Sequence, residues 1–240
     1  MADEITRAQP GVQIFHGPCS PFGDRHPRRS APVSLHEARS AARLAELIGS
    51  RICHDLISPL GAIANGLELM EMAGASAGPE LRLVEESARN ATLRIRLFRL
   101  AFGAAHEGQM VSRGELAALA AGLSGEGRIA VELELPDQCP RAEAKLAVLA
   151  LLCAERALPR GGALRACRDT AGGWTVEARA EQLRVEPDLW ARLIDRDTAL
   201  DETAPLEASA VQFALLRLTA GALGRQPTLD RREQLLRLRF

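Results

Sequence analysis

An apolar stripe with helical spacing runs through residues 44–70 and constrains the fold more than any other feature of the chain. Apolar side chains recur there at steps of three and four residues, which places them on one face of an α-helix. They are Leu44, Ile48, Ile52, Leu56, Leu60, Ile63, Leu67 and Met70. The pattern predicts one long helix that begins at Ser34, in a Ser-x-x-Glu capping box with Glu37, and ends near Ala73.

A second helix is predicted from residue 79 to about residue 104, because Gly74 and Gly78 interrupt the first and Pro79 suits a helix's first turn. Its apolar residues again step by three and four: Leu81, Val84, Ala88, Ala91, Ile95, Phe98 and Phe102. Two such helices joined by a short turn form an antiparallel hairpin. One hairpin cannot cover both stripes, so we expect two hairpins to pair as a four-helix bundle in a homodimer.

The remainder of the chain predicts a different architecture, in which strands alternate with helices. Helices are expected at 112–123, 142–157, 187–194 and 206–223, and strands at 129–135, 163–169, 173–180, 226–230 and 234–240. This interleaving is typical of a small α/β sandwich, so the predicted fold class is α+β. Prolines and glycines in residues 1–33 predict a flexible tail. The predicted domains are therefore 1–33, 34–106 and 107–240, with the boundary between the last two near residues 103–108.

Composition excludes several classes of function. The net charge is −1 and aromatic residues make up only 3% of the chain, which disfavours a nucleic-acid-binding role. No apolar run approaches the roughly 20 residues that cross a membrane. The five cysteines are widely spaced without a Cys-x-x-Cys pair, which argues against a disulfide framework and a zinc site. We expect a cytoplasmic protein without a metal site.

His54 lies on the first predicted helix but away from its apolar stripe. It is two residues from both Ile52 and Leu56, a rotation of about 200° at 3.6 residues per turn. Its imidazole should therefore be exposed. The residues that share its face are small or polar, so that another protein's surface can come close: Arg51, Ser58, Gly61, Ala62 and Asn65.

The residues around His54 suit phosphoryl chemistry. A neutral imidazole is a nucleophile near neutral pH, since its unperturbed pKa is about 6.5. Asp55 can orient the ring in its nucleophilic tautomer, and Arg51 can counter the charge of a phosphate. Ser58 can hydrogen-bond the ring or the phosphate, or equally the helix backbone one turn earlier. We predict His54 and Asp55 as catalytic residues, and contacts to a phosphate or to a partner protein from Arg51, Ser58, Ala62 and Asn65.

Other residues near His54 are assigned no function from sequence. Cys53 is adjacent in the chain but one helical step round, which favours a packing role. The arginines of the second helix are interpreted as a solvated face. They are Arg82, Arg89, Arg94, Arg96 and Arg99.

Residues 51–60, Arg-Ile-Cys-His-Asp-Leu-Ile-Ser-Pro-Leu, resemble the H-box of two-component sensor kinases. That motif is a histidine, an acidic residue, two variable positions, a small polar residue and often a proline. The longer stretch 47–69 resembles ChpT-type histidine phosphotransferases more closely, and the resemblance covers residues 40–104. It implies a bacterial phosphorelay in cell-cycle control, in which His54 carries a phosphoryl group between receiver-domain aspartates.

The second domain resembles the catalytic ATP-binding domain of these kinases in layout only. Residues 146–162 are similar to the helix that bears the kinase N-box, but Cys153 stands where the family has its ATP- and metal-binding asparagine. The glycine motifs Asp-x-Gly-x-Gly and Gly-x-Gly-Leu-Gly do not follow. Without those glycines the backbone cannot cradle a triphosphate. We expect no bound cofactor and no kinase activity of the chain's own.

The resemblance also implies the partners. The donor would be the receiver domain of a hybrid histidine kinase, the acceptors would be response regulators, and the receivers would supply Mg²⁺. Two alternatives remain open. An active sensor-type histidine kinase would bind nucleotide, whereas a non-catalytic module that only binds response regulators would keep its function without His54.

Overall fold

Two long helices form the first part of the protein, as the apolar spacing predicts. The computed structural model describes residues 35–73, 78–124, 127–195 and 206–240, so the predicted tail and Ser34 lie outside the described residues. Helix α1 spans Leu35–Ala73 and helix α2 spans Pro79–Phe102. Asp55 contacts Arg94 and Gly66 lies against Val84, so the two helices run antiparallel.

The second part alternates helices and strands, which confirms the α+β fold class. Its elements are β1 (Met110–Ser112), α3 (Arg113–Ala120), β2 (Ile129–Glu134), β3 (Gln138–Pro140), α4 (Arg141–Glu155), β4 (Gly162–Arg168), β5 (Trp174–Arg179), α5 (Pro187–Ile194), α6 (Val211–Ala222), β6 (Thr228–Arg231) and β7 (Leu235–Arg239). Ser112 caps the N-terminus of α3, since the backbone N–H of Glu115 donates to Ser112 Oγ at 3.1 Å. The three-residue strands β1 and β3, which pair antiparallel, were not predicted because so short a segment shows no period.

Five strands form one sheet in the order β2-β4-β5-β7-β6. Strands β2 and β4 are parallel and the other pairs are antiparallel. One face is apolar because alternate side chains of the central strands are buried against the helices. These side chains are Leu164, Ala166, Trp174, Val176, Ala178, Leu236 and Leu238. Helix α4 is buried along most of its length at the centre of this core.

On the other face of the sheet, Glu177 is 3% exposed and is held by two arginines. Arg237 Nε donates to Oε1 at 2.6 Å and Arg179 Nη2 donates to Oε2 at 2.9 Å. Burial acts to raise the pKa of Glu177, but these hydrogen bonds outweigh it and hold that pKa below its ordinary value of 4.5. The ionised carboxylate therefore stabilises the fold at neutral pH.

Replacing Glu177 with glutamine should lower the free energy of unfolding by about 1–3 kcal/mol at pH 7, the range for hydrogen bonds to charged groups. Because the folded-state pKa is depressed, the stabilisation is present above pH 4.5 and is lost as the pH falls through the folded value. Urea unfolding of both proteins from pH 7 to pH 3 measures this difference. A deficit that stays constant over the whole range would contradict the ionic origin of the effect.

The helical hairpin and the sheet region share one core, and residues Leu35–Phe240 form a single compact unit. Helix α2 is covered by α1 on one side and by α3 and α4 on another. Its buried residues are consequently Ser87, Ala91, Leu97, Phe98, Leu100 and Ala101. Two members of the predicted stripe lie at the surface of a single chain: Ala88 is exposed and Ile95 is 50% exposed.

Part of the apolar surface of the hairpin is not covered within one chain. On α1, Ile57, Leu60 and Leu67 are 68%, 56% and 52% exposed. Leu60 follows Ile57 by three residues and Leu67 follows Leu60 by seven, so the three side chains share one face of the helix. We call this face the apolar strip. Leu60 and Leu67 belong to the predicted stripe, and both lie at the surface of a single chain.

Gly66 lies at a close contact between the two helices. It is buried, and a Cβ built on it lies 2.6 Å from Cγ2 of Val84. Replacing Gly66 with alanine should destabilise the protein by about 1–3 kcal/mol, because an added methyl group overpacks the helix contact. Gly49 is the matched control: a Cβ there meets nothing within 4 Å, so Gly49→Ala should stabilise α1 by up to about 1 kcal/mol. Thermal unfolding measures both changes, and equal shifts in Tm would contradict the close contact.

Candidate functional site

His54 projects from the middle of α1 into solvent, as its distance from the apolar stripe predicts. Its side chain is 83% exposed. Ser58 and Asn65 on the same face are also exposed, and Ala62 is half-buried. A Cβ added to Gly61 meets nothing within 4 Å. The imidazole therefore stands on a smooth helix face that another protein can approach closely.

Asp55 is the buried counterpart of His54. Its side chain is only 9% exposed, although it is adjacent to His54 in the chain. Oδ1 of Asp55 lies 3.1 Å from Nδ1 of His54, a distance at which a protonated Nδ1 donates a hydrogen bond to the carboxylate. That tautomer leaves Nε2 with a free lone pair that points away from Asp55.

Arg51 lies below the surface, whereas the sequence pattern placed it on the exposed face of His54. Its side chain is 14% exposed, and Nη2 contacts Oδ2 of Asp55 at 2.9 Å. Nη1 donates to the backbone carbonyl of Ser209 at 2.8 Å. The segment before α6 packs against α1 here and covers the guanidinium. Arg51 thus joins Asp55 to the second domain, and the phosphate-contacting role predicted for it stays a prediction.

Arg94 completes the site, and its interpretation as part of a solvated face was wrong. It is 18% exposed because α4 packs against α2 at this level. Nη2 donates to Oδ2 of Asp55 at 3.0 Å, and Nη1 lies 3.4 Å from Oε1 of Glu155 at the end of α4. The signal was visible in the sequence: Arg94 is three residues after Ala91 and four before Phe98, so it interrupts a buried face.

Two other residues beside His54 differ in their surroundings. Cys53 is exposed, so the packing role predicted for it was wrong. Pro59 lies inside α1, which continues without interruption to Ala73. Proline has no backbone N–H and cannot donate to the carbonyl of Asp55 four residues earlier, which leaves that acceptor without its helical partner.

The residue that the sequence resemblance places at the kinase N-box asparagine is inaccessible in this protein. Cys153 is fully buried in α4, and burial raises the pKa of its thiol well above the ordinary value. About one turn past Cys153, Arg156 is held within the protein: it donates to the carboxylate of Glu186 at 3.2 Å and to Ser209 Oγ at 3.0 Å. A buried thiol offers neither the acceptor nor the metal ligand that an asparagine amide provides.

Within residues 35–73, 78–124, 127–195 and 206–240, no three or more His, Cys, Asp or Glu side chains are grouped so that they could hold a metal ion. The helices of the same segments include none that is long and apolar enough to cross a membrane.

Comparison with known proteins gives consistent matches. The family model for the histidine phosphotransferase C-terminal domain matches residues 113–234. A protein phosphotransferase ChpT from Brucella abortus (strain 2308) is 36% identical over an alignment of 189 positions that covers 76% of this chain and 86% of that protein. The 1.7 Å structure of a bacterial phosphotransferase superposes with a TM-score of 0.69 at 31% identity and covers 88% of this chain and 99% of that one.

Proposed function

Since this chain belongs to the ChpT-type histidine phosphotransferase family, we propose that His54 takes a phosphoryl group from one receiver-domain aspartate and passes it to another. The observation that carries this proposal is the pairing of an exposed imidazole with a buried carboxylate. His54 is 83% exposed, and Nδ1 lies 3.1 Å from Asp55. A solvated histidine needs no such partner, whereas a nucleophile gains a defined tautomer from it.

The bonds formed and broken in the transfer account for every atom and electron, so no further reactant is needed. The Nε2 lone pair of His54 attacks the phosphorus of an aspartyl phosphate, the N–P bond forms, and the P–O bond to the aspartate breaks. Its electron pair leaves with the receiver's carboxylate. The proton on Nδ1 stays in place, so the phosphorylated ring is cationic and Asp55 stabilises it. The reverse steps deliver the phosphoryl group to a second receiver.

The face around His54 suits a receiver domain. We assign Ser58, Ala62 and Asn65 as contacts because they lie within three turns of His54 and do not obstruct its ring. Arg51 contributes positive charge through Asp55. Mg²⁺ is expected on the receiver, next to the acyl phosphate. The donor is then the receiver domain of a hybrid kinase, the acceptors are response regulators of a cell-cycle relay, and the reaction takes place in the cytoplasm.

We also assign this protein a homodimeric state. The apolar strip of Ile57, Leu60 and Leu67 is exposed on each chain and runs beside the face that bears His54. A symmetric pairing of two hairpins buries the strip of one chain against that of the other, since a two-fold axis brings identical surfaces together. The product is a four-helix bundle with one His54 on each side.

The second domain is assigned a supporting role without nucleotide. The buried thiol of Cys153 occupies the place of a kinase asparagine, and Arg156 is paired with Glu186. These contacts favour a phosphotransfer protein over a sensor kinase that phosphorylates itself.

Incubation of the full chain with labelled ATP, with and without a phosphorylating hybrid kinase, tests the proposal. We expect acid-labile label on this protein only when the kinase is present. Label from ATP alone would establish an active kinase and contradict the proposal. No label in either condition, with several hybrid kinases tried, would favour a module that binds response regulators without chemistry.

A further inference from the structure

Two arginines, Arg51 and Arg94, pair with the single carboxylate of Asp55. Both Arg51 and Arg94 contact the same oxygen, Oδ2, at 2.9 and 3.0 Å, while Oδ1 remains directed at His54. The two guanidiniums approach from different helices, α1 and α2. The carboxylate is thereby held on two sides, and the oxygen that faces the imidazole has no freedom to turn away.

Arg94 is itself fixed from the second domain. Its Nη1 lies 3.4 Å from Oε1 of Glu155 and 3.5 Å from the carbonyl oxygen of Gly122, and its guanidinium lies 5.3 Å from the centre of the Phe98 ring. Glu155 is the last residue of α4, the helix at the centre of the α/β core. Contacts therefore run without a break from that core to the reacting imidazole.

The formal charges of this network balance. Burial acts to lower the pKa of Arg94, but Glu155 and Asp55 outweigh it and hold that pKa above its ordinary value. Burial raises the pKa of Glu155, and the arginines oppose the rise. The group of Arg51, Arg94, Asp55 and Glu155 thus holds two cations and two anionic sites. A balanced cluster of this kind keeps its geometry while charge develops on His54.

We infer that Arg94 and Glu155 are positioning residues for phosphotransfer: Glu155 holds Arg94, and Arg94 holds Asp55 against the ring of His54. The inference rests on the proposed role of His54. It adds a requirement that the hairpin cannot meet alone, because Glu155 belongs to the second domain. That domain then contributes to the chemistry by fixing the orientation of Asp55.

Single-turnover transfer from a hybrid-kinase receiver domain that acetyl phosphate has phosphorylated tests the inference. Arg94→Met should slow transfer at saturating receiver by about tenfold to a hundredfold, as expected for a reacting group displaced by about 1 Å. The receiver concentration at half-maximal rate should not change, since Arg94 lies below the docking face. Arg94→Lys should restore part of the rate, and Glu155→Gln should slow it less than Arg94→Met. Arg82→Met, at an exposed arginine about three turns earlier on α2, is the matched control and should transfer like the wild type.

A double-mutant cycle separates positioning from general stability. If Arg94 acts through Asp55, Arg94→Met should slow transfer by less than about twofold when it is combined with Asp55→Asn. If the wild type is labelled and both Arg94→Met and Glu155→Gln transfer at the wild-type rate, this inference is overturned while the proposed function stands. A change only in half-maximal concentration would also overturn it, by assigning Arg94 to docking. Failure of the wild type to accept phosphate would overturn the proposed function, and this inference with it.

Discussion

His54→Ala should abolish phosphoryl transfer and leave the fold unchanged. The variant removes the only group that the proposed reaction uses as a nucleophile. Labelling by a phosphorylated receiver domain should therefore fall to background, a loss of at least about a thousandfold. Since His54 is 83% exposed, the substitution should change the free energy of unfolding by no more than about 0.5 kcal/mol. Label transfer and thermal unfolding, measured on the same preparation, check both parts.

His106→Ala is the matched control. His106 is also exposed, but it lies after α2 at the junction with the second domain. Its removal should leave labelling at the wild-type level. His54→Gln, which keeps a polar side chain of similar reach, should be as inactive as His54→Ala. Acid-labile label that persists on His54→Ala would contradict the assignment of the nucleophile.

Leu60→Glu should convert the proposed dimer to a monomer. Two copies of the new carboxylate would face each other across the two-fold axis, and burying an unpaired carboxylate in an apolar contact costs several kilocalories per mole. The dissociation constant of the dimer should rise by at least about a hundredfold. Because Leu60 is 56% exposed within one chain, the variant should still fold. Analytical ultracentrifugation should then report a mass near 25.8 kDa in place of twice that value.

Leu218→Glu controls for the added charge. Leu218 is 49% exposed on α6, outside the hairpin, and the variant should remain dimeric. A wild-type protein that sediments as a monomer at tens of micromolar would contradict the assigned dimer. A Leu60→Glu protein that stays dimeric would place the interface away from the apolar strip.

Periodicity was sufficient to predict most of the fold. The steps of three and four residues from Leu44 to Met70 identified α1 because a helix that buries one face requires that spacing. Alternation over residues 129–135 identified β2 for the corresponding reason in strands. The strands β1 and β3 were missed because each has three residues, too few for a period of two to stand out.

The exposure of His54 was also predictable, because it depends only on the angle between that residue and the buried stripe of its own helix. The surroundings of Asp55 were not. Arg51 reaches Ser209, which is 158 residues away in the chain, and Arg94 reaches Glu155 at a separation of 61. Spacing within one helix says nothing about which distant segment will cover it.

The same reason explains the error over the arginines of α2. A row of five arginines on an amphipathic helix is usually solvated, and that interpretation suits Arg82, Arg89, Arg96 and Arg99, which are exposed. Arg94 differs because it interrupts the face on which Ala91 and Phe98 are buried. A charged residue at such a position requires a partner, and here the partners are two carboxylates.

Location of the phosphate on the wild-type chain tests the central claim most directly. After transfer from a phosphorylated receiver domain, electron-transfer fragmentation at neutral pH should locate one phosphoryl group on the imidazole of His54. Addition of a second, unphosphorylated receiver should remove it. A phosphoryl group found on Cys53, Ser58 or any other residue, or one on His54 that no receiver can discharge, would contradict a relay through this histidine.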